Sequence, residues 1–217
     1  MNAIVFAQLL AWSPATSAAT LPRGERALVA SGGFTLVRID LPSIPVFPAL
    51  TGEAEVVWGV GRRVDLRVRY VTHLGYIHRL GPEVRVTAVR GRAWSFGARL
   101  YPSAQFAGSF QEAVEYGGDV ATYAGLLGSY RWGAGVVTLD VGLTVDWLVY
   151  ERFGGRTVVD DRPYLAAGDV AVAVEWPTRP GQSLFVRAEA HVPTAPDDPS
   201  AVGGVVPRVV FGGAFGL

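Results

Sequence analysis

The sequence predicts an all-β fold, a closed antiparallel up-and-down transmembrane β-barrel of about ten strands. Three observations predict it: apolar and polar residues alternate with a period of two, the links between strands are alternately short and long, and the large aromatics fall near strand ends.

The alternation is clearest in the seventh strand. From Val137 the odd positions run Val137, Leu139, Val141, Leu143, Val145, Trp147 and Val149, while Thr138, Asp140, Gly142, Thr144, Asp146, Leu148 and Tyr150 occupy the even ones. A helix would scatter those two sets around its circumference. The third strand sets Val64, Leu66, Val68 and Tyr70 against Asp65, Arg67, Arg69 and His73, and the ninth sets Leu184, Val186, Ala188, Ala190 and Val192 against Phe185, Arg187, Glu189 and His191. Elsewhere Ala54, Val56 and Trp58 oppose Glu53 and Glu55, and Val170, Val172 and Val174 oppose Asp169 and Glu175. Only the first strand has mixed faces, which suggests a parity-switching bulge at Gly32-Gly33.

Alternation also describes a soluble sandwich, so the connections carry the distinction. Strands are expected near 26–40, 51–60, 64–76, 82–90, 93–103, 118–132, 136–150, 164–176, 182–192 and 205–217. The even-numbered links, Gly61-Arg62-Arg63, Arg90-Gly91-Arg92, Gly133-Ala134-Gly135 and 177–181, are tight turns. The odd-numbered links at 42–50, 102–117, 151–163 and 193–204 are long and rich in Pro, Gly and polar residues; the one around Gly81-Pro82 is shorter. Trp58, Trp94, Trp132, Trp176 and Phe215 lie beside the turns on the apolar parity, and Trp147, Tyr76 and Tyr164 near the opposite ends, as in an interfacial aromatic girdle.

Composition narrows the function. The 217 residues make one domain. No apolar run approaches the roughly 18 residues of a membrane helix. The net charge is zero and every one of the 19 basic residues is arginine, so nothing favours nucleic acid; the lysine deficit is assigned no mechanism. Without cysteine there is no disulfide, thiolate nucleophile or zinc–thiolate site. No spacing reads as a metal site, no glycine pattern reads as a phosphate cradle, and no cofactor is expected. At the amino terminus, Ile4 to Trp12 forms a short apolar core followed by Ser17, Ala18 and Ala19, which reads as a secretory signal over 1–19 preceding a barrel domain over 20–217. The basic residues that usually precede such a core are missing, so an ordinary first strand is the alternative.

Through Trp58-Gly-Val-Gly-Arg-Arg-Val-Asp-Leu-Arg-Val-Arg-Tyr70, Ala93-Trp-Ser-Phe-Gly-Ala-Arg-Leu-Tyr-Pro102 and the last strand, the chain resembles the small outer-membrane β-barrel proteins of Gram-negative bacteria, at the level of pattern. The resemblance implies short periplasmic turns, longer outer loops, outer-membrane lipid as surroundings, a monomer, and contact with the barrel-assembly machinery through the final strand. There Val209, Phe211, Gly213 and Phe215 fit, whereas the terminal Leu217 departs from the usual aromatic.

About ten strands leave a lumen little wider than its side chains. The inward residues Glu53, Glu55, Asp65, Arg67, Arg69, Arg85, Arg99, Asp140, Asp146, Asp169, Glu175, Arg187, Glu189, His191 and Arg208 are mixed in sign and should pair into a network that largely plugs it. A narrow solute path lined by the same groups is the sharper reading. The expected role is therefore structural, adhesive or narrowly conductive, and not enzymatic. Two alternatives stand beside it. One is a soluble barrel in which Val137, Leu139, Val141, Leu143 and Val145 line a dry pocket for a small apolar ligand while Asp140 and Asp146 face water. The other is a hydrolase in which Asp146, Asp169 and His191 activate water, an arrangement that resembles the Asp and His groups of the omptin proteases without their motifs. A Ser-His pair is disfavoured, because Ser95 belongs to the inner rim and His73 and His191 to the outer one; His78 is expected in a loop. The link 102–117, with Phe106, Phe110 and Tyr116, reads as an adhesive surface or a flap.

Overall fold

The computed structural model describes residues 15–38, 46–73, 77–108, 114–133, 135–153, 156–194 and 204–217. Every regular element among them is a strand: β1 (Arg26–Arg38), β2 (Val46–Gly59), β3 (Val64–His73), β4 (Ile77–Arg90), β5 (Trp94–Gly108), β6 (Val114–Trp132), β7 (Gly135–Phe153), β8 (Arg156–Asp160), β9 (Tyr164–Arg179), β10 (Gln182–Pro193) and β11 (Val206–Gly216). Ten of them close into an antiparallel barrel. Neighbours in sequence pair from β1 to β7, β7 continues to β9, β9 to β10, β10 to β11, and β11 returns to β1. The extra strand, β8, pairs among the described residues with the outer end of β7, from Val149 to Phe153.

The pleat sorts residues as the alternation requires. On β7, Leu139, Val141 and Leu143 stand on the outer surface, Leu143 53% exposed, while Thr138, Asp140 and Thr144 are buried inside. Leu66, Val68 and Tyr70 face out from β3 and Asp65, Arg67 and Arg69 face in. This excludes the soluble carrier: the residues that would line its dry pocket lie outside, and the interior is charged.

Several local expectations need correction. The first strand carries no bulge at Gly32-Gly33, since Ala27 to Thr35 runs in unbroken register against both β2 and β11. Its inner face looks mixed because it sets the apolar Ala27 and Val29, buried in a small apolar cluster, beside Ser31, Gly33 and Thr35. Register shifts occur instead at Thr87/Val89, Val114/Tyr116, Val120/Ala121, Thr144/Val145 and Gln182/Ser183. Gly81-Pro82 is not a link but the middle of β4, and His78 belongs to that strand. The β4–β5 ladder skips from Leu80–Ala104 to Val84–Leu100, so the proline, lacking an N–H, sits where no bond is asked of it.

The links at 102–117 and 151–163 are largely strand, because β5, β6 and β7 run far past the rim and β8 adds to them. With 19 residues each, β6 and β7 are roughly 60 Å long at strand rise, against the 9–11 residues that cross a bilayer. The wall from β5 to β9 is thus the tall side of the barrel. Phe106 lies in β5 and packs on His78, ring centroids 5.2 Å apart. Phe110, Tyr76 and the apolar core at 4–12 fall outside the described residues.

The short turns gather at one end with both ends of the described chain. Gly181 adopts φ +74° in the β9–β10 turn, a conformation natural to glycine. From this end residues 15–21 pass inside the barrel before β1 begins, and Ala15, Leu21, Ala27, Val29, Val57, Phe185, Val210 and Ala214 make a small apolar cluster there.

The β1–β11 seam depends on close backbone approach. A Cβ on Gly33 would fall 2.0 Å from the Val209 carbonyl oxygen, whereas one on Gly32 would meet nothing nearer than 3.7 Å. Gly33→Ala is therefore expected to destabilise the barrel by about 1–3 kcal/mol, the usual range for overpacking, and Gly32→Ala to leave it nearly unchanged. The temperature at which heat-modifiable gel mobility is lost checks the difference.

Candidate functional site

Among the described residues, the lumen is where the fold concentrates chemistry. Alternate residues of β2, β3, β4, β5, β7, β10 and β11 deliver carboxylates and guanidinium groups into a space from which water is largely excluded. A lone charge there costs several kcal/mol, so each must find opposite partners.

They do so by sharing. Glu53 receives Arg69 at 2.9 Å, Arg187 at 2.8 Å and Arg208. Glu55 meets Arg67 at 3.2 Å and Arg69 at 3.3 Å. Glu83 meets Arg85 at 3.0 Å, Arg99 at 3.6 Å and Arg67 at 3.8 Å. Arg67, whose side chain is 0% exposed, also reaches Asp65 at 3.3 Å. Arg99 pairs with Asp140, which accepts a 2.7 Å hydrogen bond from the Tyr123 hydroxyl, and the Arg99 guanidinium lies 4.4 Å from the Tyr123 ring centroid. Glu189 joins Arg187 and, at 3.2 Å, Arg208. The result is a continuous belt that laces seven strands together across the middle of the barrel.

Eleven of the expected lumen residues meet in this belt: Glu53, Glu55, Asp65, Arg67, Arg69, Arg85, Arg99, Asp140, Arg187, Glu189 and Arg208. Glu83 belongs with them and was missed, although it shares the parity of Arg85 two residues on; its place beside a supposed link hid it. Asp169 and His191 meet nearer the outer mouth, with His191 Nδ1 2.7 Å from one carboxylate oxygen and Thr144 donating to the other at 2.8 Å. Asp146 does not join them. It accepts a 2.9 Å hydrogen bond from Tyr164 at the rim, so the three groups of the hydrolase arrangement are not assembled. Ser95 is buried near the turn end. Arg79, facing Asp119 at 3.7 Å, continues the pairing toward the outer mouth.

Glu175 stands apart from the belt, at the turn end, and what it holds was not anticipated. One of its oxygens accepts hydrogen bonds from the Thr16 backbone N–H at 3.0 Å and the Thr16 hydroxyl at 2.7 Å; the other accepts from Ser183 at 2.5 Å. Ala18 N–H donates to Ser129 at 2.7 Å, Thr20 N–H to Thr87 at 3.0 Å and Leu21 N–H to Asp65 at 2.8 Å. Arg85 donates to the Ser17 carbonyl at 2.9 Å and Thr87 to the Ala18 carbonyl at 2.8 Å. Residues 15–21 are all buried inside the wall. The only sequence signal for this was a set of inward Ser, Thr and acidic residues clustered toward the turn ends.

Of the girdle residues, Trp94, Trp147, Trp176 and Phe215 are exposed on the outer surface, and Trp58 and Trp132 are partly so. Trp94 packs on Tyr130 at 4.5 Å between ring centroids, and Trp147 donates to Thr122 at 2.9 Å.

No protein-family model and no curated protein matches this sequence. In three dimensions the chain is similar to an outer membrane channel from Pseudomonas putida, at 12% identity, with 95% of this chain and 100% of that one covered and a TM-score of 0.50. It is also similar to the outer membrane protease OmpT from Escherichia coli, at 10% identity, 93% and 100% coverage and TM-score 0.47, and to Ail, the attachment invasion locus protein of Yersinia pestis, at 8% identity, 90% and 100% coverage and TM-score 0.45. At such identities the likeness concerns the fold alone. The fold is that of the bacterial outer-membrane β-barrels, as the strand pattern implies.

Because Glu53 serves three arginines at once, Glu53→Gln leaves buried positive charge uncompensated and is expected to cost about 3–5 kcal/mol. Asp146→Asn at the exposed rim is expected to stay within about 0.5 kcal/mol of the parent. Urea unfolding in lipid vesicles, followed by tryptophan fluorescence, compares the two.

Proposed function

We propose that this chain is an integral outer-membrane protein with a structural or adhesive role, monomeric, surrounded by lipid, and closed to diffusion through its lumen. The observation that carries this reading is the partition of the wall. Charges fill the inside and brace one another, while Leu66, Val68, Leu100, Leu126, Leu139, Leu143 and Val172 stand bare outside. An apolar belt of that extent has no aqueous partner, and lipid is the solvent that suits it.

Two further features support the placement. Trp94 and Trp176 mark the turn end and Trp147 and Tyr164 the opposite end, which suits interfacial girdles at two depths. The turn end is then periplasmic, and the tall wall of β5 to β9 projects outward, where its exposed Phe106, Val158 and Val159 offer a contact surface. The final strand, with Val209, Phe211 and Phe215 on its outer face, is the element for the barrel-assembly machinery to engage.

An arginine at Leu143, mid-strand on the outer face, is expected to lose about 2–4 kcal/mol of folding free energy in vesicles, the penalty at a bilayer midplane. Heat-modifiable mobility of Leu143→Arg beside the parent checks it. A parent that folds as a monomer in buffer without lipid or detergent contradicts the membrane placement. In planar bilayers the parent is expected to show no resolved single-channel steps.

A further inference from the structure

The segment before β1 is held as a ligand is held. Irregular backbone inside a protein leaves N–H and C=O groups that must be paired, and here side chains of the wall supply the partners. The N–H groups of Thr16, Ala18, Thr20 and Leu21 donate to Glu175, Ser129, Thr87 and Asp65, which belong to β9, β6, β4 and β3 on different sides of the barrel. Ala19 N–H donates to Ser17 Oγ at 3.0 Å, so the segment also braces itself.

The wall is shaped for it as well. A Cβ on Gly59 would fall 2.1 Å from the Pro22 carbonyl oxygen, and one on Gly97 3.2 Å from that of Ala18. The segment's own side chains are small where it is most enclosed, with Ala18 fully buried. On its outer side lies a small cavity of about 20 Å³, lined by Ala15 and Thr16 from the segment and by Arg85, Arg99, Asp140 and Arg187 from the wall. The segment therefore separates that cavity from the turn end.

We propose that residues 15–21 are a resident plug seated in a peptide-binding slot of the lumen, that the membrane-inserted protein retains them, and that displacing them opens a path for small inorganic ions. The idea rests on the outer-membrane reading above and adds that the closure at the turn end is made by a removable peptide. The cavity touches the belt at Arg85, Arg99, Asp140 and Arg187 and borders the uncharged Thr138, Ala171 and Ala173 of β7 and β9. Taking away the plug joins this space to the inner mouth.

Three measurements on the full chain test it. The intact mass of the protein purified from outer membranes is expected to include Ala15; a chain beginning at Thr20 or later overturns the retention. Ala18→Arg cannot be seated in the closed space, and its planar-bilayer conductance is expected to exceed the parent's by about tenfold or more, since a ten-strand barrel is only just filled. A folded Ala18→Arg barrel as silent as the parent overturns the gating. Because the chain has no other cysteine, Ala18→Cys reports seating without a bulky change. Its labelling by a maleimide–polyethylene glycol is expected to be lost in the folded barrel and restored in urea, and equal labelling in both overturns the plug even where the arginine variant fails to fold. A parent that itself conducts freely is a different failure: it removes the closed-lumen reading on which the inference rests.

Discussion

The whole molecule depends on one constraint, that a strand of a closed barrel shows alternate residues to two incompatible solvents. Lipid accepts no unpaired polar group, so the backbone must be paired around the full circle, and the return of β11 to β1 completes that pairing. Once the outer positions are given to apolar side chains, every charged residue is sent inward. The lumen of a ten-strand barrel is too narrow to hydrate them separately. Mutual neutralisation follows, and the belt built on Glu53, Glu55 and Glu83 is its form.

The belt is a device for holding shape more than a source of stability. Removing charges from water costs several kcal/mol each, and their attraction in the interior does little more than offset that. What the network contributes is specificity, because a one-residue slip of any strand would turn its charges onto the apolar outer face and break several shared pairs at once. Arg67 shows the point: it bridges carboxylates from β2, β3 and β4, so those three strands can close in one register only. The arginines suit this role, since a planar guanidinium can serve two or three carboxylates where an ammonium presents a point charge.

Much of this was legible in the sequence where the alternation was unbroken. β3, β7 and β10 could be read residue by residue, and with them most of the belt, because parity alone decides which side chains face inward. Legibility failed where parity is carried by residues without informative side chains or where a residue usually found in turns is used in a strand. Gly32 and Gly33 hid a regular strand, and Gly81-Pro82 hid the middle of β4 together with the role of Glu83. The lengths of β6 and β7 were hidden too, since the glycines and polar residues near their outer ends resemble a loop until their pairing is seen. Residues 15–21 were opaque for a further reason. They follow no periodicity, and the small residues that let them fit between the walls are the same ones that suggest a processing site. Their place depends on partners scattered over Asp65, Thr87, Ser129 and Glu175, a coincidence that only the closed barrel brings together.

The central claim, that the two faces of each strand meet lipid and a braced interior, is tested most directly by scanning β7 with single cysteines from Val137 to Val145, attaching a nitroxide to each and measuring its collision with oxygen and with a water-soluble nickel complex in vesicles. The account predicts an oscillation of period two, with labels at Val137, Leu139, Val141, Leu143 and Val145 reached by lipid-dissolved oxygen and those at Thr138, Asp140, Gly142 and Thr144 shielded from it. A flat profile, or one in which the labels at Thr138, Asp140, Gly142 and Thr144 are those in lipid, would contradict it.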